Sequence, residues 1–424
     1  MTTSLSKAQS LAQKLIARAA GRSSVMPGEI VSCKVDLAMF HDSSGPRRLK
    51  PMLEELGATI WDRSKVVLVI DHYVPAQDDD SRRIVQVARE WAREQRLPHV
   101  YDSVGICHVV VPQHGHLRPG MFCVGGDSHS PTGGAFGAYM FGIGSTDMLG
   151  VMVNGELWVR VPETIRMEWH GRLAPGVMAK DMMLHMIGRF GMNGSQYQAV
   201  EFTGSAVRAL PMQERMTLSN MSAELGAQVG LISPDETTYA WLAEHGAECA
   251  PGDWHSDAGT AIATHVFDAD TLEPQVAAPH SPTHTDGVSR HVGAPIDVAY
   301  IGACTGAKLE DLRAAAAVLR GRRIAPGVRL SVAPASAHDQ AIAEREGVMS
   351  VLRDAGAEVL PTACGACAGY GGSIPDGATV ISTTARNFRG RMGSATASVY
   401  LGSPYTVAAS ALAGQISDPR EVMA

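Results

Sequence analysis

Aromatic side chains are scarce, 5% of the 424 residues, and no apolar run comes near the roughly 18 residues needed to cross a bilayer. No charged n-region, apolar h-region and cleavage site open the sequence, so it reads as water-soluble and cytoplasmic, with no membrane partner. The first 28 residues hold Lys7, Lys14, Arg18 and Arg22 and no acid, a bias shared with transit peptides. Leu5, Leu11, Leu15 and Ile16, however, fall at the spacing of an ordinary amphipathic helix. Clustered cations are missing as well. The formal net charge is −7 and no basic stripe is visible, which argues against nucleic acid as a partner. Gly133-Gly134 and Gly142-Ile-Gly-Ser145 do not complete a GxGxxG with a trailing acid, and no GKS or GKT follows them, so dinucleotide and nucleoside-triphosphate binding are disfavoured. Cysteines are few and odd in number, seven, which speaks against a disulfide framework and for metal or catalytic use.

What is abundant is glycine, 44 residues, in a pattern of tight strand-to-helix turns. Between about 61 and 150, β-rich runs (Val66–Ile70, Met121–Val124) alternate with a charged helix near Asp79–Arg96, the rhythm of a doubly wound α/β unit. From Asp297 the rhythm recurs: strand Val298–Ile301, helix Leu309–Leu319, strand Val328–Val332, helix Gln340–Asp354, and strands Glu358–Leu360 and Thr379–Ser382. The middle is less regular, with a Met-rich helix at Ala179–Ile187 and another at Met212–Leu225, and reads as a smaller α+β domain. Pro274–Pro295 has little apolar periodicity and reads as a surface linker. The expected fold class is therefore α/β, in three domains: residues 1–161, 162–285 and 286–424.

In open α/β sheets ligands bind outside the carboxyl ends of the strands, so the residues following each predicted strand carry the functional signal. These are Asp71 and His72, then Asp127, Ser128 and His129, then Cys304, then Cys364 and Cys367, then Arg386 and Arg391. Asp127-Ser128-His129 cannot form a self-contained triad, because neighbouring side chains of an extended segment point to opposite faces. Carboxylates and imidazoles from two strands can still converge as general acids, with His108 joining them. Arg386 and Arg391 have the fork geometry that grips carboxylates.

Cys364-Gly-Ala-Cys367 admits several uses. A thioredoxin-type redox pair would want a helix amino end and aromatic neighbours, whereas Gly369, Gly371 and Gly372 follow here. Structural zinc needs four ligands, and only Cys304 and His338 are candidates to complete a set. Three thiolates without a fourth suit a cubane cluster with one iron open to substrate. Cys33, Cys107, Cys123 and Cys249 are assigned to packing.

Taken together, the motifs resemble those of the aconitase superfamily, specifically the large subunit of its isopropylmalate dehydratase branch. The likeness covers nearly the whole chain. It is carried by His41-Asp42 with Gly45-Pro46, Asp71-His-Tyr-Val-Pro75, Gly105-Ile-Cys-His108, Gly126-Asp-Ser-His129, Gly142-Ile-Gly-Ser-Thr-Asp147, Ala199-Val-Glu-Phe-Thr-Gly204, Glu214-Arg-Met-Thr-Leu218, Pro279-His-Ser-Pro282, Leu309-Glu-Asp-Leu312, Cys364-Gly-Ala-Cys367 and Gly390-Arg-Met-Gly393.

The resemblance implies an aconitase-like architecture with a cleft at the strand carboxyl ends and a 4Fe-4S cluster on Cys304, Cys364 and Cys367. It also implies a heterodimer, in which a separate small subunit supplies a swivelling domain and the catalytic serine absent from this chain. In that scheme Asp71 and His72 protonate the departing hydroxyl of a small hydroxy-dicarboxylic acid. His108, Asp127 and His129 hold the water, while Ser128, Arg386 and Arg391 bind substrate. Three departures stand out: Gly306 and Ala385 where the family has asparagine, and Ala366 where it has proline. The implied activity is a hydro-lyase exchanging 2- and 3-isopropylmalate in leucine biosynthesis. The alternatives are the same chemistry on a methyl- or dimethylmalate or homoaconitate, a non-catalytic iron–sulfur sensor, or a zinc-stabilised module.

Overall fold

The computed structural model describes residues 8–370 and 374–423, with Ala366 represented by its backbone alone. Leu5, Lys7, Gly371, Gly372 and the side chain of Ala366, which entered the reading above, lie outside this description. Among the described residues no helix is long and apolar enough to cross a membrane.

The amino-terminal part is a five-stranded, all-parallel sheet in the order His99–Asp102, Val66–Ile70, Leu37–His41, Phe122–Gly125, Tyr139–Gly142. Val66–Ile70 is buried along its entire length, as a strand covered on both faces must be, which is why it reads as an unbroken apolar run. The chain first winds outward from Leu37–His41, then returns to Phe122–Gly125 on its other side. That reversal is a topological switch point, and it lies between the strand ending at His41 and the strand leading to Asp127. The charged helix runs over Asp79–Glu94 behind a reciprocal Asp78–Ser81 cap, burying Val85, Ala88, Trp91 and Ala92. The first helix, Leu11–Ala19, buries Leu11, Leu15 and Ile16 as their spacing foretold.

The carboxyl-terminal part repeats the device. Five parallel strands run in the order Ser398–Leu401, Thr379–Ser382, Val298–Ile301, Arg329–Val332, Glu358–Val359. Here the switch point falls between Val298–Ile301 and Thr379–Ser382, just before Cys304 and Arg386. The helix expected over Gln340–Asp354 is two helices, Ala337–Arg345 and Val348–Asp354. Gly347 separates them in the left-handed conformation, φ 74°, a geometry glycine adopts without steric cost.

Two expectations are corrected. The middle segment is not α+β: Val229–Leu231, Ala199–Thr203, Thr164–His170 and Ala263–Asp268 form a sheet that is parallel throughout. Its helices Ala179–Phe190 and Met212–Met221 serve as the crossovers that parallel pairing demands. Nor is Pro274–Pro295 a surface linker. Gln275–Ala277 is buried and pairs antiparallel with both Thr285–Gly287 and Ser398–Leu401, extending the carboxyl-terminal sheet to seven strands. These strands are three residues each, too short to show periodicity.

The three parts meet around Asp339, whose carboxylate accepts from Gln113 at 2.9 Å and from Gln213 at 3.1 Å. The short helix Ser130–Phe136, which follows Asp127–His129, packs against the middle sheet so closely that a β-carbon on Gly134 would lie 1.8 Å from the Gly230 carbonyl. Gly134→Ala should therefore cost about 1–3 kcal/mol through overpacking. Denaturant unfolding checks this, with Gly150→Ala, where a β-carbon meets nothing within 4 Å, as the near-neutral control.

Candidate active site

The first side chains to fall into place are those at the end of Leu37–His41. Asp42 accepts from three successive backbone N–H groups: His72 at 3.0 Å, Asp71 at 3.4 Å and Tyr73 at 2.8 Å. It thereby shapes the turn after Val66–Ile70 and is spent doing so. Asp71 accepts from the Cys107 N–H at 2.7 Å, and His72 Nδ1 donates to its other oxygen at 2.7 Å. The His72 ring stacks on His41 with centroids 3.7 Å apart. His41 Nδ1 accepts from the N–H groups of Ser43 and Ser44 at 3.2 and 3.4 Å, so its proton sits on Nε2, which has no hydrogen-bond partner.

Across the switch point, Asp127 collects the second group. His108 Nε2 donates to it at 2.7 Å and the His129 N–H at 2.8 Å, while His41 Nε2 and His72 Nε2 lie 3.6 and 4.0 Å from its other oxygen. His129 Nε2 donates to Glu224 at 3.1 Å, and Glu224 also accepts from Arg386 Nε at 2.6 Å. One connected network thus runs from Asp71 to Arg386.

The cysteines close the third side. Cys304 follows Val298–Ile301, and the Cys364 N–H donates to the Asp71 carbonyl at 2.9 Å, seating the Cys364–Cys367 turn on the first group. Asn220 Nδ2 donates to Cys304 Sγ at 3.2 Å. Two fully buried lysines brace the Cys304 loop. Lys180 Nζ donates to Thr305 Oγ1 and to the carbonyls of Thr383 and Thr384, while Lys308 Nζ donates to the Cys304 carbonyl at 3.0 Å and to Asp311 at 2.7 Å. The two departures from asparagine have local causes. A β-carbon on Gly306 would meet Thr383 Cβ at 2.1 Å, and Ala385 is buried in the apolar core of the middle part. The amide next to the thiols is instead that of Asn220.

Electrostatics sort these groups into acids and bases. Burial disfavours charge on Asp71, but His72 and its hydrogen bond outweigh burial and hold the carboxyl below its usual range. Burial likewise lowers His72, yet Asp71, Asp127 and Asp42 carry it up to about 9, so it is an imidazolium at neutral pH. Asp127 is held well below the ordinary carboxylate value, His108 and its hydrogen bond overcoming burial. His108 itself is pushed down by burial. Burial sends Cys304 up to about 12, and the Cys364 thiol, hydrogen-bonded to Cys367, is also raised. Cys367 is lowered by the Cys364 bond and by Arg391.

A cavity of about 460 Å³ opens onto this network, lined among others by His41, His72, Asp127, Ser128, Arg386 and Arg391. Of the residues singled out from the sequence, His72, Asp127, Ser128, Arg386 and Arg391 line the cavity, and Asp71, His108 and His129 join them through hydrogen bonds. Ser128 is exposed on the cavity wall; Asp71, His72, His108, His129, Cys304 and Cys367 are buried, and Arg386 and Arg391 half-buried. His338, considered as a zinc ligand, is more than half exposed and turned to Asp339. Sequence reasoning missed His41, Asp42, Lys180, Asn220, Glu224 and Lys308 as site residues. His41-Asp42 carried a signal, a polar pair closing a β-rich run. Asn220 and Glu224 carried almost none, because nearly every side chain of Met212–Leu225 is buried and no polar face stands out.

Among the described residues, the donor sets gathered within 4.8 Å are His41, Asp42, Asp71, His72 and His108, Asp127, His129. Both are already committed to internal hydrogen bonds. The three cysteines do not form such a set, so their thiols are spread more widely than ligands around one ion.

This fold and cleft belong to a known class. The model of the Aconitase family (aconitate hydratase) matches residues 13–294 and 285–414, and the chain belongs to that family; it is a hydro-lyase. Over 416 residues it is 43% identical to the 3-isopropylmalate dehydratase large subunit 1 of Methanopyrus kandleri, covering 97% of this chain and 99% of that one. It is 40% identical to the 3-isopropylmalate dehydratase large subunit of Syntrophus aciditrophicus, with the same coverage. A probable methanogen homoaconitase large subunit of Methanothermobacter thermautotrophicus is 41% identical over 418 residues, 97% of each chain.

The imidazole of His72, raised to about 9 in the folded chain against about 6.5 when unfolded, contributes stability that is fully present below about pH 6.5. It is lost as pH rises through about 9, by an amount on the order of 3 kcal/mol. Unfolding free energies at pH 6 and pH 10 should show a loss that His72→Gln lacks; equal losses in both proteins would mean the ring is not charged in the native state.

Proposed function

We propose that this chain is the large subunit of a two-chain, cytoplasmic hydro-lyase that removes and re-adds water on a substituted malate, using a 4Fe-4S cluster held by Cys304, Cys364 and Cys367. The observation that carries this reading is the convergence of three cysteines on the cleft where His72, Asp127, Arg386 and Arg391 meet. The residues fit such a cluster. The thiols are buried or half-buried, spread beyond the reach of one ion, and faced by the cations Lys308 and Arg391, as a buried anionic centre requires; the Lys180 amine beside them is lowered to about 7 by burial. Lewis-acid polarisation of a substrate hydroxyl and carboxylate is the chemistry that a cluster with one open iron supplies.

The chain's own side chains divide the remaining work. His72 is protonated at neutral pH and its Nδ1 is held by Asp71, which leaves the Nε2 proton free to pass to a departing hydroxyl. Asp127, ionised and gripped by His108 and His129, orients the water that this step creates. Arg386 and Arg391 take the substrate carboxylates, and Ser128 adds a hydroxyl at the cavity wall. A base for the C–H proton is expected from the small subunit, whose swivelling domain would cover the open face of the cavity. The relatives named for 3-isopropylmalate make 2- and 3-isopropylmalate of leucine biosynthesis the first reading of the substrate. The same chemistry on another malate is the second, favoured by a third guanidinium in the cavity wall.

The test is anaerobic co-expression with the small subunit. A brown protein with about four irons and four sulfides per chain is expected, together with turnover of a substituted malate. Asp127→Asn should keep the iron content and lose at least about a hundredfold in turnover. A colourless zinc protein, or an active Asp127→Asn variant, sinks the proposal.

A further inference from the structure

We infer that Arg48, at the amino end of the helix Pro46–Leu56, reads a negatively charged substituent on the substrate, so that the cleft is built for a malate whose side chain ends in a carboxylate rather than in a branched alkyl group. This rests on the hydro-lyase reading above and chooses between its two substrates.

Three guanidinium groups line the cavity, those of Arg48, Arg386 and Arg391. The two carboxylates of any malate occupy two of them, and Arg386 already shares its charge with Glu224 at 2.6 Å. The Arg48 side chain is exposed at the cavity wall, and no ion pair or hydrogen bond holds its guanidinium among the described residues.

The surroundings of Arg48 point the same way. The helix Pro46–Leu56 has no side-chain cap at Gly45 and no acid in its first turn, leaving its positive end open. Two further donors line the cavity. One is the buried Ser44 hydroxyl, which has no partner, and the other is His41 Nε2, on a side chain only 4% exposed and 3.6 Å from the Asp127 carboxylate. A cation, a helix amino end and the Ser44 hydroxyl make a place for an anion.

An alkyl substituent, by contrast, would need a dry apolar wall. The apolar side chains available in the lining are Ile143, Met148 and Ala368, and Met148 is 2% exposed, its surface turned into the core. The remaining wall is Tyr370, whose hydroxyl is bonded to that of Tyr73 at 2.9 Å, with Arg47 donating to Tyr73 in turn at 3.3 Å. That arrangement presents polar edges, not hydrocarbon.

The test is equilibrium binding to the anaerobic, cluster-loaded complex, measured by calorimetry and so independent of turnover. Two malates are compared: 2-isopropylmalate and a malate bearing a two-carbon chain that ends in carboxylate. The wild type should bind the carboxylate-bearing acid at least tenfold more tightly. In Arg48→Met the ratio of the two dissociation constants should fall towards one, and Arg48→Lys should restore part of it. A preference for 2-isopropylmalate, a ratio unchanged in Arg48→Met, or binding of neither acid overturns the inference. A complex that shows the expected ratio but dehydrates neither acid supports the role of Arg48 while sinking the hydro-lyase reading of this substrate.

Discussion

Backbone hydrogen bonds from the Cys364 N–H to the Asp71 carbonyl, from Ile106 to Ala335 and from Ala337 to Val104 join the carboxyl ends of the two outer parallel sheets. Parallel sheets expose their reactive loops at one end only, so two such sheets make a shared cleft only if those ends face each other. These bonds and the convergence of Gln113 and Gln213 on Asp339 hold them in that relation. Every distance within the site depends on that orientation.

Burial then governs the chemistry. Ionisable groups removed from water must pair or lose their charge, and the site consists almost wholly of such groups. Asp42 takes its hydrogen bonds from backbone N–H groups, which makes it a structural anchor, with the His72 ring 4.0 Å away. Asp71 and Asp127 are neutralised by imidazoles, which leaves protons that can move. Lys180 is held by Thr305, Thr383 and Thr384 from the loops after the switch-point strands of the carboxyl-terminal sheet, and burial lowers it to about 7. Lys308 is held by the Cys304 carbonyl, the Thr217 hydroxyl and the Asp311 carboxylate, so a paired ammonium stands beside the Cys304 loop. Glu224 receives both His129 and Arg386, so the grip on substrate and the holding of water are coupled through one carboxylate.

Much of this was legible in the sequence. Strand-end positions alone led to Asp71, His72, Asp127, His129, Cys304, Cys364, Cys367, Arg386 and Arg391, because a strand announces itself by an apolar run and the next polar residue marks its carboxyl end. The middle part was harder to read. Its helix Met212–Met221 is buried almost all round, and apolar periodicity therefore had no solvent face there against which to register. Gln275–Ala277 reads as linker for a related reason: three residues joining the edge of a distant sheet leave no local signature.

Composition and order determined that the chain is α/β, that its cysteines are too few and too oddly numbered for a disulfide framework, and which polar residues stand at strand ends. These are local properties, set by side-chain volume, charge and the two- and 3.6-residue periods of the backbone. Only the tertiary structure decided that Asn220 reaches Cys304, that Glu224 links His129 to Arg386, and that Gly306 admits no side chain beside Thr383. Those contacts join residues far apart in the chain. They exist because parallel sheets must be closed by long crossovers, which bring distant segments to one edge and leave no trace of that meeting in the local sequence.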